Sequence, residues 1–251
     1  MMKLLECVMD IGEQMLLCGA EVHRVEDSIK RMCIALGAER VEIFTITSSM
    51  VATIHTADES VHTQTRRLES GGTDIERLHR LNNLSRSICA KKMTVEDIQK
   101  ELASISQTSR YPFWMECASY AVIAGAFTLF FGGNWIEAAL SLLIGVIVRF
   151  VILMTDKTIA NKIFAKFLCS FAATAAAFLC LKIGWITNVD KIIIGNIMTL
   201  IPGIGLTNAL RDLFTGDSIA GLLRLIEAAL IALAISAGYF LFVFIMGGVA
   251  A

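Results

Sequence analysis

The residues best suited to chemistry lie in the last quarter of the chain. Gly195, Thr199, Gly203, Thr207 and Arg211 recur at steps of four, with Pro202 interrupting them, and Asp212, Asp217, Arg224 and Glu227 follow. Residues four apart stack on one helix face, so hydroxyls, bare backbone and a guanidinium share a side. Pro202 removes a helical hydrogen bond and clashes with the preceding turn, while Gly203 and Gly205 permit unwinding. A helix broken there exposes the N-terminus of its second half, whose free N–H groups and partial positive charge suit a carboxylate. The chemistry this predicts is recognition of a small anion. Its substrate-binding residues would be Thr199, Pro202, Gly203, Gly205, Thr207, Asn208 and Arg211.

Two more stripes carry charge into apolar sequence, where ionisable groups are costly and mark function. Glu137, Ser141, Gly145 and Arg149 form one; Arg224, Ala228, Ala232 and Ser236 form the other, with Glu227 beside Arg224. Together the stripes predict the walls of one internal cavity; the competing reading is that small residues only let helices pack closely. Coupling or gating falls to Arg149, Asp212, Asp217, Arg224 and Glu227. The Glu227 carboxyl could alternate between protonated and paired states, or form a permanent bridge to Arg224.

Other chemistry finds no support. No G-x-x-x-x-G-K-[ST] or G-x-G-x-x-G sequence occurs, which disfavours ATP-driven transport by this chain. His23, Arg24 and Glu26 fall within one helical turn, but His55, His62 and His79 sit on other elements, so no metal site is expected. Seven cysteines show neither C-x-x-C nor zinc spacing and read as reduced thiols. No cofactor is expected.

Positioning such stripes requires a membrane body, and the composition supplies one. Of the 251 residues, 55% are hydrophobic and 18% charged, with a mean hydropathy of +0.65. A soluble domain is at most about half apolar and about a quarter charged, so the chain is too oily to be wholly soluble. The net charge of −1 excludes an electrostatic nucleic-acid binder. Met1 to Asp10 is amphipathic and does not read as a signal peptide.

Residues 1–111 hold 30 of the 45 charged side chains. The break at Tyr111-Pro112-Phe113-Trp114 is an aromatic cluster of the interfacial type. The expected architecture is therefore a small α+β cytoplasmic domain over 1–111, followed by an all-α polytopic membrane domain over 112–251. Five stretches are long enough to cross about 30 Å of hydrocarbon. They lie near Phe113–Phe131, Ile136–Thr155, Phe164–Ile186, Ile192–Leu210 and Leu222–Gly247. Lys157, Lys162 and Lys166 mark one loop as cytoplasmic, and Arg211 and Arg224 another. The positive-inside rule then places the head in the cytoplasm and the C-terminus outside the inner (plasma) membrane.

Within the head, helical spacing of apolar residues predicts helices over Met2–Cys18 and Glu21–Leu36, stopped by Gly19 and Gly37. β-branched runs predict strands over Arg40–Thr47, Val51–Thr56 and Val61–Leu68. Thr73-Asp74 and Thr94 are expected to cap two further helices, reaching Ala90 and Ser104.

The stretch Pro202-Gly203, Thr207-Asn208, Arg211-Asp212-Leu213, Gly216-Asp217, Gly221, Arg224 and Glu227-Ala228 closely resembles the signature of the threonine/serine exporter family. Gly19 followed by Arg24-Val25-Glu26 resembles the same family's N-terminal element. The resemblance implies a cytoplasmic head, five spans and export of small amino acids or related carboxylates. It also implies a split form of the family, in which this chain would be the larger subunit beside a smaller multi-span membrane subunit, exporting a dicarboxylate such as succinate. An oligomeric complex in the lipid bilayer follows, with no nucleic-acid partner. The reading is thus a secondary exporter of small carboxylates or amino acids, powered by an ion gradient. The alternative is a membrane-anchored enzyme or sensor whose head carries the activity. A mere anchor needs neither a broken helix nor Arg149 and Glu227.

Overall fold

The computed structural model describes residues 2–69, 71–91, 93–107, 111–158, 161–186 and 188–246. Thr187 in an outer loop and Gly247 at the expected end of the last span lie outside them.

Helix α1 (Met2–Leu17) and helix α2 (Val22–Ala35) open the chain, as the apolar spacing predicts. Their buried faces carry Leu5, Val8, Ile11 and Met15, then Val22, Val25, Ile29 and Met32. Gly12 lets the two helices close: a Cβ there would lie 2.5 Å from Ile29 Cδ1. Strands β1 (Ala38–Ile46), β2 (Ser49–Thr56) and β3 (Val61–Arg67) form an antiparallel meander in that order. Met50, Ala52 and Ile54 of β2 point into the core, so register is fixed by burial of one face. Helices α3 (Ile75–Lys91) and α4 (Val95–Ser106) pack on α1 and α2 and contribute Leu81, Leu84, Ile88 and Ile98 to the core. The Asp74 carboxylate accepts the amide of Arg77, and Thr94 Oγ1 that of Asp97, which are the two caps expected from sequence.

Four helices among the described residues are long and apolar enough to cross a membrane: α5 (Phe113–Phe130), α6 (Trp135–Thr158), α7 (Lys162–Ile183) and α10 (Ser218–Ile245). The expected fourth span, Ile192–Leu210, is not one helix. It is divided between α8 (Asp190–Ile197) and α9 (Gly203–Thr215), each too short to cross. The division has a local cause. The amides of Thr199 and Leu200 turn back to the carbonyls of Asn196 and Ile197, tightening the end of α8, and Pro202 follows two residues after Leu200.

Two compact units result, one of Met1–Ser109 with Gly203–Ile226, the other of Arg110–Pro202 with Glu227–Ala251. In the second, α5, α6 and α8 pack through bare backbone. A Cβ on Gly145 would meet Tyr120 O at 2.7 Å, and one on Gly195 would meet Thr128 Oγ1 at 2.2 Å and Ala124 O at 2.8 Å. Thr128 donates to Ser141 Oγ (2.7 Å), as does Asn196 Nδ2 (2.8 Å), and all three side chains are fully buried. On α7, Ser170 donates to Ile235 O of α10 (2.7 Å), where Gly238 comes close to the Phe167 carbonyl. Small residues that allow close backbone approach hold helices together where lipid leaves no hydrophobic driving force.

Gly195→Ala should therefore force α8 off α5 and lower stability by about 1–3 kcal/mol. Gly203→Ala, where an added Cβ meets no atom within 4 Å, should not. Thermal unfolding of the two variants in detergent checks the contrast.

Candidate functional site

The α1–α2 corner is the starting point. Helix α1 ends at Gly19, whose φ of +90° favours glycine. The Ala20 amide bonds to Met15 O and the Gly19 amide to Leu16 O, the double bond of a Schellman turn. Helix α2 then starts after Glu21, whose side chain makes no capping bond. The corner thus leaves the carbonyls of Gly19 and Ala20, and the first amide of α2, without local partners.

Residues from α9 and α10 take up those groups. Asn208 Nδ2 donates to Gly19 O at 2.8 Å, and Arg224 Nη2 to Ala20 O at 2.8 Å. The Val22 amide donates to Asp212 Oδ1 at 3.2 Å, so a carboxylate some 190 residues away supplies the cap that α2 lacks. Asp212 Oδ2 accepts from Arg224 Nη1 at 2.9 Å, and Arg211 pairs with Glu21. Asp212 is completely buried. Burial pushes its carboxyl above the usual carboxylate range, against the pull of Arg224; Asp217 and Glu21 push it the same way as burial.

The rest of the pattern builds the hairpin that presents these groups. Gly216 (φ +100°) ends α9, with the Asp217 amide returning to Asp212 O at 2.9 Å. Asp217 O accepts the Gly221 amide and so opens α10. A Cβ on Gly221 would lie 2.8 Å from Leu213 N and 2.9 Å from Ala209 O, so only glycine lets α10 lie this close to α9. Burial and the nearby Asp217 together raise the Glu26 carboxyl.

Asn208, Arg211, Asp212 and Arg224 are therefore brought together, but around the corner of the head. Gly203, Gly205 and Thr207 occupy the first turns of α9, and the Thr207 hydroxyl donates to Gly203 O. Thr199 and Pro202 belong to the other unit, where the Thr199 hydroxyl donates to Asn196 O. Arg149, in that unit too, pairs with Glu116 and lies 5.6 Å and 5.8 Å from the ring centres of Phe113 and Tyr120. Glu137 closes a capping box with Asn134. The Glu227 side chain is exposed, and the nitrogens of Arg224 are spent on Asp212 and Ala20 instead.

Sequence reasoning missed the backbone groups of Gly19, Ala20 and Val22, and it missed Glu116. The signal for the corner was present: a helix stop at Gly19 followed at once by a helix without a capping side chain. Among the described residues no cluster of His, Cys, Asp or Glu could hold a metal ion. Seven cysteines are free, five of them buried.

Comparison with known proteins bears on the same residues. The family described as "Putative threonine/serine exporter" (ThrE) matches residues 6–246. A "Probable succinate transporter subunit YjjP" of Klebsiella aerogenes is 26% identical over 223 residues, covering 88% of this chain and 85% of that protein. Its counterpart of the same description in Escherichia coli K12 is 24% identical, with 88% and 86% covered. A "Probable threonine/serine exporter" of Mycobacterium tuberculosis is 25% identical over 94% of this chain but only 45% of its own length. No solved structure matches the chain. With a match that takes in both the head corner and the α9–α10 hairpin, the chain belongs to the threonine/serine exporter family and is a multi-pass membrane transporter, not an enzyme.

Proposed function

We propose that the chain is the larger subunit of a secondary exporter that carries a small carboxylate or amino acid outward across the inner membrane. A succinate-like dicarboxylate and threonine or serine are the two solute classes that the relatives suggest. The observation that carries this reading is the break between α8 and α9. We take this broken segment as a fifth crossing, which keeps the head cytoplasmic and the C-terminus outside and puts Arg211 and Asp212 at the cytoplasmic mouth. The proposed domain division is the cytoplasmic head over 1–111 and the membrane body over 112–251.

The solute carboxylate would meet the first amides of α9, where Gly203 and Gly205 leave the backbone uncovered, near Thr207; Thr199 and Pro202 are proposed solute-binding residues from the sequence pattern. Asn208 and Arg211 lie one to two turns further along, held by Gly19 and Glu21. A carboxylate solute would compete with Glu21 for Arg211, and that exchange is a route by which solute entry could loosen the head. Arg149, Asp217 and Glu227 are proposed to take part in coupling or gating. Glu227 lies nine residues into α10 and is exposed in this chain. A carboxylate at that depth needs either a covering partner or a proton, which supports a second, smaller multi-span subunit.

The test is solute binding by Pro202→Ala and Arg211→Ala proteins at equal yield. Losing one or two charge-assisted hydrogen bonds should weaken binding on the order of tenfold to a thousandfold. If both variants bind like the parent, the break is only a kink.

A further inference from the structure

A cavity of about 290 Å³ lies in the first unit, bounded by the α1–α2 corner, by α3 and by the first half of α9. It stands at the small end of the range for ligand pockets, the size for a metabolite of a few carbons. Its polar and apolar walls are distinct. Ile75, Leu78 and Ile204 supply apolar surface, while Arg24, His79 and Asn82 supply polar groups. The Arg24 guanidinium makes no hydrogen bond or ion pair among the described residues. Its one carboxylate neighbour on the cavity wall, Glu21, is already paired with Arg211. Asn82 gives one amide hydrogen to Leu78 O (2.9 Å) and keeps the other, and its carbonyl oxygen, for a ligand.

We infer that this cavity is a second binding site for a small carboxylate, distinct from the helix break and taken from the cytoplasmic side in the orientation proposed above. An unpaired guanidinium with five donors matches a carboxylate in a fork geometry. The short apolar wall suits a few methylenes, and Asn82 can read a second polar end. The site has a built-in readout. Asn208 lines the same cavity and holds Gly19, so a ligand seated there touches both sides of the head–hairpin contact. A ligand that binds the docked arrangement better than the undocked one shifts the population toward docking by its differential affinity. The site would thus tell α9 how much carboxylate the cytoplasm holds.

The experiment is alkylation of a His79→Cys protein in membranes, with Cys89→Ser removing the exposed native thiol. Succinate, L-threonine and uncharged succinamide are titrated as protectants. Protection by succinate or by L-threonine, but not by succinamide, is expected, and which of the two acts identifies the class of carboxylate that this cavity takes. Arg24→Gln should raise the protecting concentration tenfold or more. Ile75→Trp, at a half-exposed position on the wall, should remove protection by filling the space. Calorimetric titration of the parent in nanodiscs should report the same affinity. If no carboxylate protects, or if Arg24→Gln is protected like the parent, the inference fails. Efflux is measured on the same proteins reconstituted with the smaller multi-span subunit: protection without efflux sinks the exporter reading and leaves the cavity site standing, and efflux without protection does the reverse.

Discussion

Arg224→Met is expected to abolish transport and to destabilise the protein by about 3–5 kcal/mol at neutral pH, because it leaves a buried charge without its counter-ion. Asp212 is inaccessible to solvent, and in the parent Arg224 is its cationic partner, 2.9 Å away. The variant also strips a donor from the Ala20 carbonyl. The sign of the pH dependence follows from the raised Asp212 carboxyl. A folded-state pKa above the unfolded value means that ionisation costs folding free energy at high pH, and that this cost lifts as pH falls through the raised value. Without Arg224 the carboxyl rises further, so Arg224→Met should regain stability in mild acid. The double variant Asp212→Asn/Arg224→Met should lie much closer to the parent at all pH values. It keeps an oxygen for the Val22 amide and carries no buried charge. Amide exchange at Ala20–Val25 reads the docking directly, and thermal unfolding reads the total. A single variant as stable as the parent at pH 8, or a double variant worse than Arg224→Met, would contradict the assignment.

The second large effect is all-or-none. Reconstituted by itself, the chain should move no solute above leak, and addition of the smaller multi-span subunit should restore efflux. Helix α10 is the reason. Only 11% of its most apolar stretch is buried within the chain, against 44% for α7. Its exposed surface carries Leu222, Leu233, Phe240 and Phe244, which lipid can cover, and also Glu227 and Ser236, which lipid covers poorly. A helix that turns a carboxylate outward needs a protein neighbour on that side. Cross-linking from a cysteine at Leu230, one turn from Glu227 and exposed, should reach the smaller subunit. Full-rate efflux by the chain alone would overturn the claim.

Much of this was legible in the residues. The head's seven elements follow from period and caps, because each buries one face against one core and the caps are local. Four spans were readable for the same reason: a long apolar run has few other places to go. The Ile192–Leu210 segment was the exception. Pro202 was visible as a breaker, but the tightening at Thr199 and Leu200 depends on backbone geometry that composition does not encode. The candidate site was legible in residue identity and not in partnership. Asn208, Arg211, Asp212 and Arg224 were singled out by type and the fold brings them together, yet three of the groups they bind are main-chain atoms, which carry no sequence signal beyond a glycine and a missing cap. Arg149 shows the same limit. Its charge was conspicuous, whereas Glu116, 33 positions earlier, drew no notice until the fold set the two side by side.

The span of 190 residues between Val22 and the carboxylate that caps it also sets a clock. At ribosomal speeds of about 5–20 residues per second, the α1–α2 corner waits roughly 10–40 s before Asp212 is even synthesised. The head can complete its core in that interval, since the buried residues of its core cluster, from Leu5 to Ile105, all belong to the head itself. What it cannot do is finish its own first turn of α2. Docking therefore comes late in biogenesis, possible only after the apolar helices α5 to α7 have been made. A nascent chain that stalls before Asp212 keeps an open corner, and that unfinished helix end is a mark by which quality control could tell incomplete molecules from assembled ones.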